Sequence, residues 1–417
     1  MKVAEPRPIR EFALGIYDGP HATPKESPEG AVFLGIKNIT EDGHLDLSEI
    51  RYVSEEEFPR WTRRVTPQAG DVVLTYEATL HRYAIIPEGF RGCLGRRVAL
   101  IRPNPKKADS RYLLYYFQSH SWRTIVESYV ITGATVDRIP LESLPEFPVR
   151  LPKVETQKEV ADLLSAYDEL IENNQRRMAL LGDAARLLYQ EWFVYLRFPG
   201  HEHTSTENGV PIGWKRLELR NIIDVTHGYA FKGEYFAEEP TSRVLTTPGN
   251  FKVGGGIKLN KLKFYSEEGP LDSSYALAPM DLILTMTDLS QEGDTLGFPA
   301  FVPRLNGLTF LHNQRLGKVI PRGQSFPKYF LYCLFCDERY RHHVVGAATG
   351  TSVKHTSPKR ILSHTATLPP IDGLIDAFDN AVKPLVQQVN CLIEMNQKLR
   401  AARDMLLPRL MSGEIEV

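Results

Sequence analysis

Three groups of residues in this 417-residue chain have types and spacings that could do chemistry. Cys333 and Cys336 form a C-x-x-C, which can be half of a zinc site or a redox pair. Zinc needs four ligands, no second pair of comparable spacing exists, and the two thiols lie inside the apolar run YFLYCLFC, so buried core is the better reading. His201 and His203 lie in the stretch RFPGHEHTSTENGVPIGW, rich in Pro, Gly and Ser/Thr, where isolated histidines usually ligate nothing. Gly254, Gly255 and Gly256 invite a phosphate-loop reading, but no G-x-x-x-x-G-K-[ST] accompanies them and turn chemistry suffices. The chain has no G-x-S-x-G, no H-E-x-x-H, no activated-cysteine signature, no glycine-rich methyl-donor loop and no N-P-P-Y tetrapeptide. Nothing here supplies an enzyme.

Charge is more informative by position than in total. The net value is −1, from 50 Lys and Arg against 51 Asp and Glu. Between Thr295 and Ile371, however, the only acids are Asp337 and Glu338, against Arg304, Arg315, Lys318, Arg322, Lys328, Arg339, Arg341, Lys354, Lys359 and Arg360. From Gly89 to Lys107 there are no acids, but Arg91, Arg96, Arg97, Arg102, Lys106 and Lys107 are present. Acids collect elsewhere, as at Glu55 to Glu57. Locally basic surface on a neutral chain is an electrostatic footprint for phosphate, and equally the mark of a solvated basic face.

The elements that must position these residues are written twice. NITEDGHLDLSEIRYVSEE from Asn38 aligns without a gap on NFKVGGGIKLNKLKFYSEE from Asn250, and GDVVLT at Gly70 meets MDLILT at Met280. RYLLYYF meets KYFLYCLF, TGATV at Thr132 meets TGTSV at Thr349, and LPKVETQ at Leu151 meets LPPIDGL at Leu368. The offset stays between 210 and 217 residues, which is an internal duplication. Each copy reads as strands (AVFLGIKNIT and IRYVS joined through Asp42-Gly43, then GDVVLTY and RRVALIRP) followed by a helix over RYLLYYFQSHSWRTIV in the first. Each copy then ends in a long helix. One seam runs Val160, Leu164, Tyr167, Ile171, Asn174, Met178, Leu181, Ala185, Leu188 and Trp192. The other runs Ile375, Phe378, Val382, Leu385, Val389, Leu392, Asn396, Leu399 and Leu406. Steps of three and four are a coiled-coil seam. If the helices pair antiparallel, Asn174 and Asn396 meet within about a turn, and one buried polar pair fixes register. Pro384 should bend the second helix or open its bonding.

The fold expected is α+β: two homologous mixed α/β modules separated by two long antiparallel coiled-coil helices. Boundaries fall at 1–150, 151–196, 197–366 and 367–417. Length suits two or three domains, no run approaches a membrane span, four cysteines make no disulfide framework, and the N-terminus lacks a signal-peptide core, which points to the cytoplasm. A seam of about 34 residues is on the order of 50 Å long. B-DNA repeats every roughly 34–36 Å, so modules at either end could address grooves one to two turns apart and read two short sequences across a gap.

Leu163 to Phe193 resembles the central conserved region of specificity subunits of type I restriction-modification systems, and RDMLLPRLMSGEI from Arg403 resembles their C-terminal conserved region. The doubled TG-x-[TS]-V followed by LP and a long helix is similar to their junction between target recognition domain and spacer helix. The first junction, LPKVETQ, lacks the family's usual second Pro, and the second lacks its Glu-Gln pair after LPPI. The resemblance implies a non-catalytic subunit that reads one half of a split double-stranded DNA site with each module. Its spacer helices would dock two DNA methyltransferase subunits, which bind S-adenosylmethionine, and restriction endonuclease/translocase subunits could join and use ATP and Mg. None of those cofactors would belong to this chain, and no metal is expected in it.

The basic, polar loops supply the candidate DNA contacts: Lys37, Asn38, His81, Arg82, Arg96 and Arg97 in the first module, Asn250, Thr287, Asn313, Arg315, Thr351 and Lys354 in the second. Arg96 and Arg97 read equally as strand-edge charges, and Asn38 with Asn250 as repeated turn residues. The rival readings are a coiled-coil scaffold with two protein-binding domains and no DNA contact, and a self-contained restriction-methylation enzyme. A half-molecule that closes with a second copy is disfavoured, since both halves are present.

Overall fold

The computed structural model describes residues 5–132, 136–323, 326–371 and 373–417. The centre of TGATV and Asp372 of LPPIDGL lie outside the described residues. The chain forms two compact units, residues 1–171 with 398–417, and residues 172–397.

In the first unit, strands β1 (Ala13–Asp18), β2 (Ala31–Leu34), β3 (Arg51–Val53), β4 (Val72–Thr75), β5 (Tyr83–Ile85), β6 (Gly92–Leu94) and β7 (Val98–Pro103) form two sheets. One is antiparallel with order β1-β7-β4-β5; the other has order β3-β2-β6, with β2 and β6 parallel. The run Val72–Thr75 is buried throughout because both faces of its sheet are covered. Val72 and Leu74 face one core with Ala99, Ile101, Tyr116, Phe117 and Trp122, while Val73 faces another with Leu34, Val98 and Leu100. The period-two alternation decides which side chain goes where. The single helix expected over RYLLYYFQSHSWRTIV is instead two, α1 (Ser110–Gln118) and α2 (His120–Tyr129). Ser119 breaks it: in extended conformation, its hydroxyl accepts from the Trp122 amide and caps α2.

The first long helix, α3, runs Val154–Tyr189 and continues as a π-helical turn over Gln190–Val194. Gln157, fully buried, fixes its start: Oε1 accepts from the Asp109 amide at 2.9 Å, and Nε2 donates to the carbonyls of Lys107 and Pro152.

The second unit repeats the plan with β8 (Ile223–His227), β9 (Phe236–Ala237), β10 (Arg243–Thr246), β11 (Lys263–Tyr265), β12 (Ala276–Leu277), β13 (Leu282–Thr285), β14 (Thr287–Asp288), β15 (Pro299–Phe301), β16 (Thr309–His312) and β17 (Leu316–Pro321). Its antiparallel sheet is ordered β8-β17-β13-β15, and its mixed sheet β9-β11-β10-β16-β12 adds two short edge strands to the equivalent core. Helices α4 (Lys328–Cys336) and α5 (Glu338–Gly346), broken at Asp337 as α1 and α2 are at Ser119, precede β18 (Lys354–His355) and the second long helix, α6 (Gly373–Met411). α6 is continuous through Pro384.

Every residue of the two seams is buried or half-buried. In the second unit the Asn174 amide donates to Asn396 Oδ1 at 2.8 Å, with both residues buried. Farther along, Tyr189 packs on Phe378. In the first unit Arg403 is ion-paired with Asp168, whose other oxygen accepts from the Tyr115 hydroxyl at 2.6 Å. Within each unit the two helices therefore run antiparallel, and each compact unit takes part of both.

Candidate nucleic-acid interface

Both units build the same hydrogen-bonded ridge. In the first, the Tyr76 amide donates to the Arg97 carbonyl at 3.2 Å, the Ile139 amide to the Tyr76 carbonyl at 2.7 Å, and Glu77 is bridged to Arg138. In the second, the Met286 amide donates to the Arg315 carbonyl at 2.9 Å, the Thr356 amide to the Met286 carbonyl at 2.9 Å, and Thr287 pairs with His355. Gly19 and Gly228 hold equivalent places where two backbones nearly touch. A Cβ on Gly19 would lie 2.4 Å from the Gly95 carbonyl oxygen, and one on Gly228 2.1 Å from that of His312. Neither position admits a side chain.

The outward side chains differ between the copies. Arg96 stands where the second unit has Gln314, Glu77 where it has Thr287, Arg138 where it has His355, and Asp18 where it has His227. Asn313 is buried and its Oδ1 accepts from the Arg315 amide at 3.0 Å, an Asx turn that turns Gln314 and Arg315 out to solvent. The Arg315 guanidinium has no ion-pair partner among the described residues. Around it the backbone gathers Thr287, Lys354, exposed His355 and, through the Tyr229 amide bonded to the His312 carbonyl, exposed His227 and Tyr229. Thr287 Oγ1 lies 3.1 Å from His355 Nδ1.

The first unit's ridge is more evenly charged. Arg96 is exposed and has no ion-pair partner among the described residues, while Arg97 Nε lies 2.9 Å from Glu77. Asp18 pairs with Arg64 and His21, Arg82 with Glu41, and Lys37 with Glu49. His81 is mostly buried and its Nδ1 has no hydrogen-bond partner among the described residues. Burial, followed by the Arg123 charge, pushes its pKa down. Both His81 and Arg97 have positive φ, 61° and 72°, a left-handed conformation that costs such residues energy and that clusters at functional sites.

The twelve candidates thus divide. Asn313, Arg315, Thr287 and Lys354 come together on one ridge; Thr351 is exposed three residues before Lys354. Thr287 and Asn313 are buried, so they shape the ridge rather than project from it. Asn38 and Asn250 must be corrected to scaffold. Asn38 Oδ1 accepts from the Gly35 amide while Nδ2 donates to the carbonyls of Asp46 and Glu49. Asn250 does the same with the Thr247 amide and the Lys258 carbonyl. Both are buried and spent on backbone, because a tight turn follows each. His227, Tyr229, Gln314 and His355 escaped the reading of the sequence. Gln314 and His355 carried a signal, since each adjoins a chosen residue; His227 ends strand β8, Tyr229 follows it, and neither carried one.

The other groups singled out by chemistry go elsewhere. Cys333 is buried and Cys336 half-buried, and burial pushes the Cys336 thiol up to about 12, where it stays protonated. Gly254, Gly255 and Gly256 all have positive φ in a turn closed by the Lys252 amide on the Gly256 carbonyl. Among the described residues no group of three or more His, Cys, Asp or Glu could hold a metal ion, and no helix is long and apolar enough to cross a membrane.

The profile of the type I restriction modification DNA specificity domain matches residues 28–181. The specificity subunit of the type I restriction enzyme MjaIX from Methanocaldococcus jannaschii is 23% identical, over 98% of this chain and 89% of its own. The specificity subunit of the type I restriction enzyme HindI from Haemophilus influenzae is 20% identical, over 76% of this chain and 80% of its own. This chain is similar to type I specificity subunits over nearly its whole length, and its residues 28–181 match the specificity-domain family. The crystal structure of the type I restriction-modification S subunit from M. genitalium has the same fold, with TM-score 0.52 and 16% identity over 97% of this chain and 95% of that one.

Proposed function

We propose that this chain is the DNA sequence-recognition subunit of a type I restriction-modification complex, reading a split double-stranded site with one module per half. The observation that carries this reading is the ridge built twice on identical backbone bonds with different side chains outward, as two related readers of different sequences require. Arg96, Arg315 and Lys354 supply charge for phosphate and base edges; Gln314, His227 and His355 supply further hydrogen-bonding groups. The chain itself is non-catalytic. Two methyltransferase subunits dock on its long helices, restriction subunits join them, and S-adenosylmethionine, ATP and Mg belong to those partners.

The test is a methylation map of the source genome by long-read sequencing, with and without the gene. Loss of methylation at one split motif is expected. An unchanged map, together with failure to copurify a methyltransferase, would overturn the reading. The scaffold alternative predicts that the chain, with or without partners, binds DNA no better than an acidic control does and shows no steep salt dependence.

A further inference from the structure

The two copies differ in length at the connection beside the ridge. From the rung at Val72 the first returns to the sheet at Ile85; from the rung at Leu282 the second returns at Phe301, six residues later. The added residues form a loop after β14, and that loop is held at several points. Asp288, buried, accepts from the Ser290 amide at 2.7 Å and from the Thr295 hydroxyl at 2.5 Å. The Asp294 amide donates to the Ser290 hydroxyl at 2.9 Å. Arg341 donates to the carbonyls of Gly293 and Asp294 and lays its guanidinium over the Phe298 ring, 4.0 Å from its centroid. From this held loop Leu289 projects with 68% of its surface exposed, one residue beyond buried Asp288 and two beyond Thr287.

Single exposed leucines are common on protein surfaces, but Leu289 stands on a braced loop two residues beyond Thr287 of the polar ridge, where it can meet what the ridge meets. The loop's own charges, Glu292 and Asp294, are exposed and acidic, so it has nothing with which to grip phosphate. The apolar feature that a duplex offers to a protein is the C5-methyl of thymine in the major groove.

We propose that Leu289 is a specificity-determining residue of the second module, making apolar contact with a thymine methyl in that module's half of the split site. This rests on the reading of the chain as a DNA-recognition subunit. The rigid loop sets the height of Leu289 above the ridge, while Arg315 and Gln314 contact neighbouring base edges. The first copy has Thr79 at the corresponding step after Glu77, so its half-site is read there without a leucine.

The test uses the assembled complex of this chain with its methyltransferase, wild type and Leu289→Ala. Once the wild-type motif is mapped, affinity is measured on duplexes in which each thymine of the second half is replaced in turn by deoxyuridine, which lacks only the methyl. One such replacement is expected to weaken wild-type binding about five- to tenfold and to leave the Leu289→Ala complex unchanged. Methylation by Leu289→Ala should spread to other bases at that position, with the first half of the motif intact. If Leu289→Ala methylates the same motif and responds to deoxyuridine as wild type does, the proposal is overturned while the recognition reading stands. If the wild-type chain directs methylation to no split motif, the recognition reading falls and this falls with it. Because Leu289 is exposed, unchanged melting of the variant separates recognition from folding.

Discussion

At the scale of single residues, the ridge separates side chains that build from side chains that reach. Arg315 belongs to the second kind: exposed, turned out by the Asx turn of Asn313, and with no acid in ion-pair reach among the described residues. Arg315→Ala should weaken binding to the cognate duplex by about 1–3 kcal/mol and relax one position of the second half-site; fluorescence anisotropy at fixed salt reads the first effect and a methylation map the second. His312 illustrates the other kind. Its ring is buried under the ridge, Nε2 donates to the Leu316 carbonyl at 3.0 Å, and burial pushes its pKa from 6.5 down to about 4. The folded chain therefore holds His312 neutral where the unfolded chain binds a proton. Its stability contribution is complete above about pH 6.5 and is lost as the pH falls toward 4, on the order of 3 kcal/mol in all. Thermal melts across that window should show the decline, and His312→Gln should make it shallower.

At the scale of elements, the long helices are specified by their seams. Leu392, Val382 and Phe378 are buried as the three–four spacing requires, and the Asn174–Asn396 bond places the polar step of one seam opposite that of the other. Asn174→Leu alone removes the donor to the buried Asn396 Oδ1 and should cost about 1–3 kcal/mol. The double change Asn174→Leu with Asn396→Leu should recover that loss, since an apolar pair replaces a polar one. Urea unfolding of both variants decides it: equal destabilisation of single and double variants would show that an apolar pair does not replace the polar one. The π-helical turn at Gln190–Val194 has a packing role. The Tyr195 amide reaches back to the Gln190 carbonyl, and Phe193 meets Phe330 and Phe378 with ring centroids 4.9 Å apart in each case.

At the scale of the whole molecule, duplication reaches down to individual hydrogen bonds, yet the compact units do not follow the linear order of modules and helices. Each unit holds one module with the beginning of one long helix and the end of the other. Gln157 binds α3 to the backbone of Lys107 and Asp109, so any exchange of residues 1–150 must preserve those backbone positions. With that condition met, replacing residues 1–150 by the matching segment of another specificity subunit should change one half of the methylated motif and leave the other half and the gap intact. A methylation map of the chimera checks this, and a change in both halves would show that the modules do not read independently.

The duplication, the strand runs and the two seams were legible in the residues alone, because hydrophobic period and repeat offset are local or one-dimensional properties. The polar step in each seam was legible for the same reason. The division of the recognition ridge was not. Asn38 and Asn250 looked like contacts because a polar residue in a repeated loop has the same composition whether it faces solvent or its own backbone; burial alone settles them as scaffold. His227 and His355 come beside Arg315 only through pairing between β8 and β17 and between β14 and β18, strands far apart in the chain. Sequence determined that two like modules and two matched helices would form; tertiary structure decided which side chains face out, because that depends on which strands meet.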